Sequence, residues 1–258
     1  MPNYIFSVVN NLEQYNRCVK DNPHLSAWVR QHALNTPQHN VSIATHYNTF
    51  IEKVILPTRE DGWVIFCHQD FEFLEDPLPI LRSLPRHVIY GPLGMQRRAW
   101  LPGITRGTAY GQLRSGPYII GLRTDRPQPV DTLDCCCLMI HTSLLKKYGL
   151  RFDEQFDFHL YAEDFCLQAH QKKLEIQALQ SNCIHYSNGT LSNAFFDKYD
   201  TLLKKFPQEP FVTMCVHIRI GKKGHFPSRR TVRLYRLLIG MILPFKTWKI
   251  RKNRSASH

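Results

Sequence analysis

Apolar runs alternate with amphipathic stretches along the first two hundred residues. Residues 63–67, Trp-Val-Ile-Phe-Cys, form an unbroken apolar run, the pattern of a strand buried on both faces, and it stops abruptly at His68-Gln69-Asp70. Residues 4–9 read as a shorter strand leading into a helix-compatible stretch over 12–19. Ser42 is a good N-cap, and Ile43, Tyr47, Phe50 and Val54 behind it fall on one helical face. Asp76 and Pro77 predict a helix start running to Leu84, followed by a strand over 87–90. After an irregular span from 91 to 129, apolar order returns at 135–140. A helix capped by Thr142 or Ser143 and closed by Gly149 should follow, then one over 160–172. Residues 175–179 and 183–186 read as short strands. Phe195, Tyr199, Leu202, Leu203 and Phe206 mark the apolar face of a last helix. Strands alternating with helices predict an open α/β sheet, in which ligands bind beyond the carboxyl ends of the strands.

The span from 91 to 129 holds seven glycines and six arginines without a clear period, which predicts a functional loop bordering the site. Among 258 residues, 43% hydrophobic and 12% aromatic, there is enough apolar surface for a substantial core. The net charge of +12 is localised: residues 210–258 hold twelve Lys or Arg and no Asp or Glu, so residues 1–209 are formally neutral. This divides the chain into a body over 1–209 and a basic extension over 210–258. Such an extension is either a solvated tail or a surface for a phosphate-rich partner. The eight cysteines, three of them consecutive at Cys135, Cys136 and Cys137, lie mostly in apolar runs and read as free thiols in a reducing compartment. The N-terminus has no basic stretch ahead of its short apolar run, so a cytoplasmic location is expected.

Chemistry-bearing residues collect where strands and helices begin or end. His68 and Asp70 leave the central strand two residues apart and can hold a divalent ion, since carboxylate oxygen and neutral imidazole are both suitable ligands. Asp134 precedes the cysteine strand. Glu163 and Asp164 stand near a helix N-terminus, where the dipole favours acidic residues in any case. His185 leaves a short strand into a polar turn.

Taken in order, the apolar strand with HQD, the segment 130–140, GLRFDEQF, HLYAEDFCLQA and CIHYSNGT resemble the family 2 glycosyltransferases and their bacterial glycosyltransferase-like relatives, over residues 4–189. The resemblance implies a GT-A fold, with a mostly parallel central sheet flanked by helices and here a basic C-terminal helical tail. It also implies a hexosyltransferase-like enzyme using a nucleotide-sugar donor. The family's DxD motif, which binds the metal-diphosphate, falls on His68-Gln69-Asp70, where the first acidic position is a histidine. The implied metal ligands for Mn²⁺ or Mg²⁺ are then His68, Asp70 and His185. The family's ED motif falls on Glu163-Asp164, with Asp164 as general base, and Asp134 matches an acidic position near the acceptor. Asn10, Asn48, Gln69 and Asp70 are candidates for donor contacts. The implied mechanism is a single inverting displacement.

Residues 233–245 are apolar at their centre, too short to span a bilayer, and flanked by basic residues and Trp248. Residues 229–254 therefore predict either docking on the inner face of an anionic membrane or a helix packed on the body. Docking suits a glycan or lipid-linked acceptor of bacterial surface polysaccharide or lipopolysaccharide. A nucleotidyltransferase lacks support because no early Gly-rich, basic phosphate loop follows residues 4–9. A nucleic-acid-binding module would explain the basic tail but not the carboxylates. A catalytically inactive sugar-binding relative would account for His68 in the DxD position.

Overall fold

The computed structural model describes residues 2–36, 41–101, 104–187, 192–216 and 218–220. In chain order its elements are β1 (Asn3–Val9), α1 (Leu12–Tyr15), β2 (Trp28–Leu34), α2 (Ile43–Phe50), β3 (Trp63–Cys67), β4 (Phe71–Phe73), α3 (Leu78–Ser83), β5 (Val88–Gly91), β6 (Leu93–Leu101) and β7 (Ile104–Gly111). There follow β8 (Leu113–Ser115), β9 (Tyr118–Ile120), β10 (Gln128–Pro129), β11 (Thr132–Leu133), β12 (Cys137–His141), α4 (Thr142–Tyr148), α5 (Tyr161–Gln171), β13 (Glu175–Ala178), β14 (Cys183–His185), α6 (Asn193–Lys205) and β15 (Ile218–Ile220).

The central sheet has the order β10-β13-β5-β12-β3-β1-β2. Strands β1, β2, β3, β5 and β13 share one direction, and β12 and β10 oppose it, so the sheet is mostly parallel. Strand β3 shows why its apolar run is unbroken. Val64 and Phe66 pack on one face against α2, with Phe6, Tyr47 and Phe50, while Trp63, Ile65 and Cys67 pack on the other with Ile5, Tyr90 and Met139. Each such side chain contributes about 1.5 to 3 kcal/mol on burial. The Ser42 hydroxyl caps α2 by accepting from the Thr45 amide. Gly149 closes α4 at φ +60°, a left-handed conformation that favours glycine.

Two expectations need correction. The span 91–129 is not an irregular loop: β6 and β7, nine and eight residues long, form an extended antiparallel hairpin. Glycine hides the strand pattern there because the packing is tight; a Cβ on Gly94 would sit 2.8 Å from the Thr132 carbonyl oxygen. The body also does not end at residue 209. Phe211, Val212 and Val216 are buried, the Thr132 hydroxyl donates to the Val212 carbonyl at 2.7 Å, and β15 pairs with β7. The basic segment 229–254 and Asn188-Gly189-Thr190 of the last motif lie outside the described residues. Among the described residues no helix is long and apolar enough to cross a membrane, and no cysteine is in a disulfide, Cys215 being exposed and Cys135 half-buried.

Candidate functional site

The site is built at the carboxyl end of β3. The His68 amide still bonds to the Cys136 carbonyl, and the Phe71 amide then bonds back to the His68 carbonyl, so the chain turns tightly through Gln69 and Asp70 into β4. Strand β4 pairs antiparallel with β14, with Phe71 opposite His185. That register brings His185 beside Asp70, although 117 residues separate it from His68. His185 Nε2 lies 3.3 Å from His68 Nδ1 and 3.3 Å from Asp70 Oδ1. The ligand atoms of His68, Asp70 and His185 all fall within 4.8 Å of one another.

Hydrogen bonding fixes the tautomer of His68. Its Nε2 is 2.9 Å from the Tyr161 hydroxyl, which lies 2.6 Å from the Cys135 carbonyl oxygen. A carbonyl can only accept, so the single Tyr161 hydroxyl proton goes to Cys135, and His68 Nε2–H must donate to Tyr161. The lone pair of His68 therefore sits on Nδ1, facing His185 and Asp70. Burial, with His185 adding to it, lowers the His68 pKa to about 4, which keeps the ring neutral. Burial is the largest single influence and acts against charge on both His185 and Asp70, but their mutual hydrogen bond and the attraction of nearby opposite charges together outweigh it, raising the histidine and lowering the carboxylate.

The triad opens on a cleft of about 940 Å³, which Asn10, Gln69, Asp134, Phe158 and Glu163 also line. Leu160 enters α5 in the left-handed region at φ 64°, a costly conformation for a branched side chain that sets the direction of the first turn. Tyr161 then reaches His68, and Glu163 reaches the cleft wall. Glu163 is buried, and its Oε2 has no hydrogen-bond partner. Burial, and next the charge of Asp134, push its pKa up to about 8. Phe158 is exposed and stacks parallel to the His68 ring at 6.5 Å.

The structure brings together His68, Asp70, His185, Asp134, Glu163, Asn10 and Gln69, all on the cleft. It does not bring in Asp164 or Asn48. Asp164 is fully buried behind α5, accepts from Lys205 Nζ at 2.7 Å and from Gln168 Nε2 at 2.6 Å, and so pins α6 to α5. Asn48 donates to the Phe152 carbonyl and accepts from the Phe152 amide, which ties α2 to the segment before α5. Asn10 and Gln69 bind chiefly each other: Gln69 Oε1 accepts from the amides of Asn10 and Asn11, and Nε2 donates to Asn10 Oδ1 at 2.5 Å. Asn48→Ala is expected to cost about 2 to 3 kcal/mol in unfolding free energy, because it leaves both Phe152 backbone groups unpaired. Chemical denaturation checks this.

Sequence reading missed Tyr161 and Phe158. Their only local signal is that both are aromatic residues flanking a helix start.

Among solved structures, GalNAc-T7 with UDP, GalNAc and Mn²⁺ superposes at TM-score 0.52 with 10% identity, over 79% of this chain and 48% of that one. The chain has a GT-A fold. It spans about half the length of the GalNAc-T7 chain that it matches. The TarS structure from S. aureus, residues 1–349 in complex with UDP, aligns at TM-score 0.46 and 11% identity, over 81% of this chain and 71% of that one. By sequence, a protein of Fuscovulum blasticum named "ATP synthase subunits region ORF 6" is 26% identical over 195 residues, 69% of this chain and 74% of its own. No family model matches. In this GT-A chain the triad and Glu163 lie beyond the carboxyl end of β3, where an open α/β sheet carries its ligands.

Proposed function

We propose that this protein is a metal-dependent glycosyltransferase that moves a sugar from a nucleoside-diphosphate sugar to an acceptor hydroxyl with inversion. The observation that carries the reading is a buried carboxyl, Glu163, whose Oε2 has no hydrogen-bond partner, on the same cleft as the His68, Asp70 and His185 cluster of a GT-A fold. Two imidazoles and one carboxylate fit a divalent transition ion, and they favour Mn²⁺ over Mg²⁺, which prefers all-oxygen sites. GalNAc-T7, the GT-A structure matched above, is described with UDP and Mn²⁺. His68 through Nδ1, Asp70 and His185 would hold the ion. When bound, it neutralises charge growing on the leaving diphosphate.

Glu163 accepts the proton of the acceptor hydroxyl as that oxygen attacks the anomeric carbon, in place of Asp164, which has no path to the cleft. Asp134 accepts hydrogen bonds from acceptor hydroxyls and, by its charge, keeps Glu163 basic. The Asn10–Gln69 clamp fixes the loop after β1 against the turn after β3. Phe158 offers a flat apolar face to a sugar ring. For the acceptor we favour a glycan or lipid-linked sugar of bacterial surface polysaccharide or lipopolysaccharide, reached from the cytoplasmic face, with the basic C-terminal segment at anionic headgroups.

The test is release of nucleoside diphosphate from a panel of UDP-, GDP- and dTDP-sugars with Mn²⁺, Mg²⁺ or EDTA. Slow hydrolysis of one donor, suppressed by EDTA, is expected. Neither binding nor hydrolysis of any donor would overturn the proposal. Tyr161→Phe frees His68 to take the other tautomer and is expected to weaken Mn²⁺ binding by about 10- to 100-fold, the usual cost of losing a partner behind a metal ligand. Electron paramagnetic resonance of Mn²⁺ without nucleotide reads this independently of turnover; unchanged affinity would remove the role assigned to Tyr161.

A further inference from the structure

Strands β8 and β9 form a hairpin that turns at Gly116-Pro117, with Leu113 opposite Ile120, Arg114 opposite Ile119 and Ser115 opposite Tyr118. Side chains alternate across such a ribbon. One face carries Leu113, Ser115 and Ile120 into the cleft wall and ends in Tyr118 at the tip, and the other carries Arg114 and Ile119. At the tip and just after it, Tyr118, Ile119 and Leu122 are 46%, 59% and 54% exposed. Arg114, opposite Ile119, and Arg123 and Arg126, which follow Leu122 in the chain, are exposed as well, with Asp125 the lone acidic residue between positions 114 and 126.

We propose that this hairpin and residues 122–126 dock on an anionic lipid bilayer, with Tyr118, Ile119 and Leu122 entering the interfacial layer and the three arginines meeting headgroup phosphates. Apolar tips flanked by cations match such a surface on both counts. Charge argues against the other occupants at hand. The chain's own C-terminal segment holds twelve Lys or Arg and no acid between 210 and 258, and a second copy would set its arginines against these. The patch is also continuous with the cleft. Strand β8 pairs with β14, placing Ser115 beside His185, so Tyr118 lies two strands, about 10 Å, from the triad. Docking brings the cleft mouth to the lipid surface, where a lipid-linked acceptor presents its head. That consequence, unlike the docking, rests on the transferase reading.

The experiment is co-sedimentation of the full chain with vesicles of phosphatidylcholine alone or mixed with phosphatidylglycerol. Stronger binding to the mixed vesicles is expected. Tyr118→Ser/Ile119→Ser/Leu122→Ser should lower it by at least about tenfold, since each apolar side chain withdrawn from the interface loses transfer free energy. Arg114→Gln/Arg123→Gln/Arg126→Gln should lower it by about fivefold per arginine. Both triple variants should keep the wild-type melting temperature and Mn²⁺ affinity, which separates a failure of docking from a failure of the metal site. Wild-type binding that does not respond to phosphatidylglycerol, or unchanged binding in both variants, overturns the proposal.

Discussion

Glu163→Gln is expected to lower turnover by about 10² to 10⁴, the usual contribution of a positioned general base, while Mn²⁺ and donor affinities stay near wild type. The glutamine keeps the shape of the side chain and removes the group that accepts the proton. The wild-type kcat/KM should rise with pH through about 8, because burial and Asp134 hold the carboxyl protonated below that value and only the ionised form is a base. The variant's residual activity should lack this limb. Stability should move the other way. The folded-state pKa lies above the ordinary 4.5, so folded protein holds a proton that the unfolded chain releases between about 4.5 and 8, and wild-type stability falls as pH rises across that window. In Glu163→Gln that slope is lost. Unchanged turnover in this variant would remove Glu163 from the mechanism.

The largest effect on stability is expected at Lys205. Its Nζ lies 2.7 Å from Asp164 Oδ1 and 2.5 Å from Asp153 Oδ2, joining α6 to α5 and to the segment that precedes it. Asp164 has no exposed surface. Its burial raises its pKa even though Lys205 and Gln168 act to lower it, so the carboxylate depends on these partners to stay ionised. Lys205→Met leaves this buried charge uncompensated and is expected to cost about 3 to 5 kcal/mol. At roughly 2 to 4 °C per kcal/mol, the melting temperature should fall by about 6 to 20 °C. Adding Asp164→Leu should recover much of the loss, since replacing both members of a buried pair with apolar groups is far less costly than removing one. If Lys205→Met melts like the wild type, the pin contributes nothing. Asp164→Asn, by the same logic, should reduce stability while the folded fraction retains turnover.

The local pattern of the chain determined most of the central sheet and its helices. The unbroken apolar run of β3 could only be a strand covered on both faces, the Ser42 cap starts α2 as its hydroxyl predicts, and Gly149 ends α4 because it accepts a left-handed φ. His68 and Asp70 were legible for the same reason: a strand that stops at polar residues leaves them at its carboxyl end. Strands β6 and β7 were not legible, since their glycines answer to close approach by other segments, Gly94 by Val130 and Thr132 and Gly107 by Met95 and Val212, a constraint that leaves no period. The tertiary structure decided how the candidate residues meet, and which of them stay out of the cleft. His185 reaches His68 through the register of β14 on β4, and Tyr161 reaches it from the first turn of α5. Glu163 and Asp164 are neighbours in sequence but point about 100° apart on the helix, so one can face the cleft while the other faces Lys205. Sequence fixes which residues are adjacent and how often apolar side chains recur. Which of two adjacent carboxylates meets solvent in a cleft depends on contacts with residues far along the chain, and those exist only once the helix has packed.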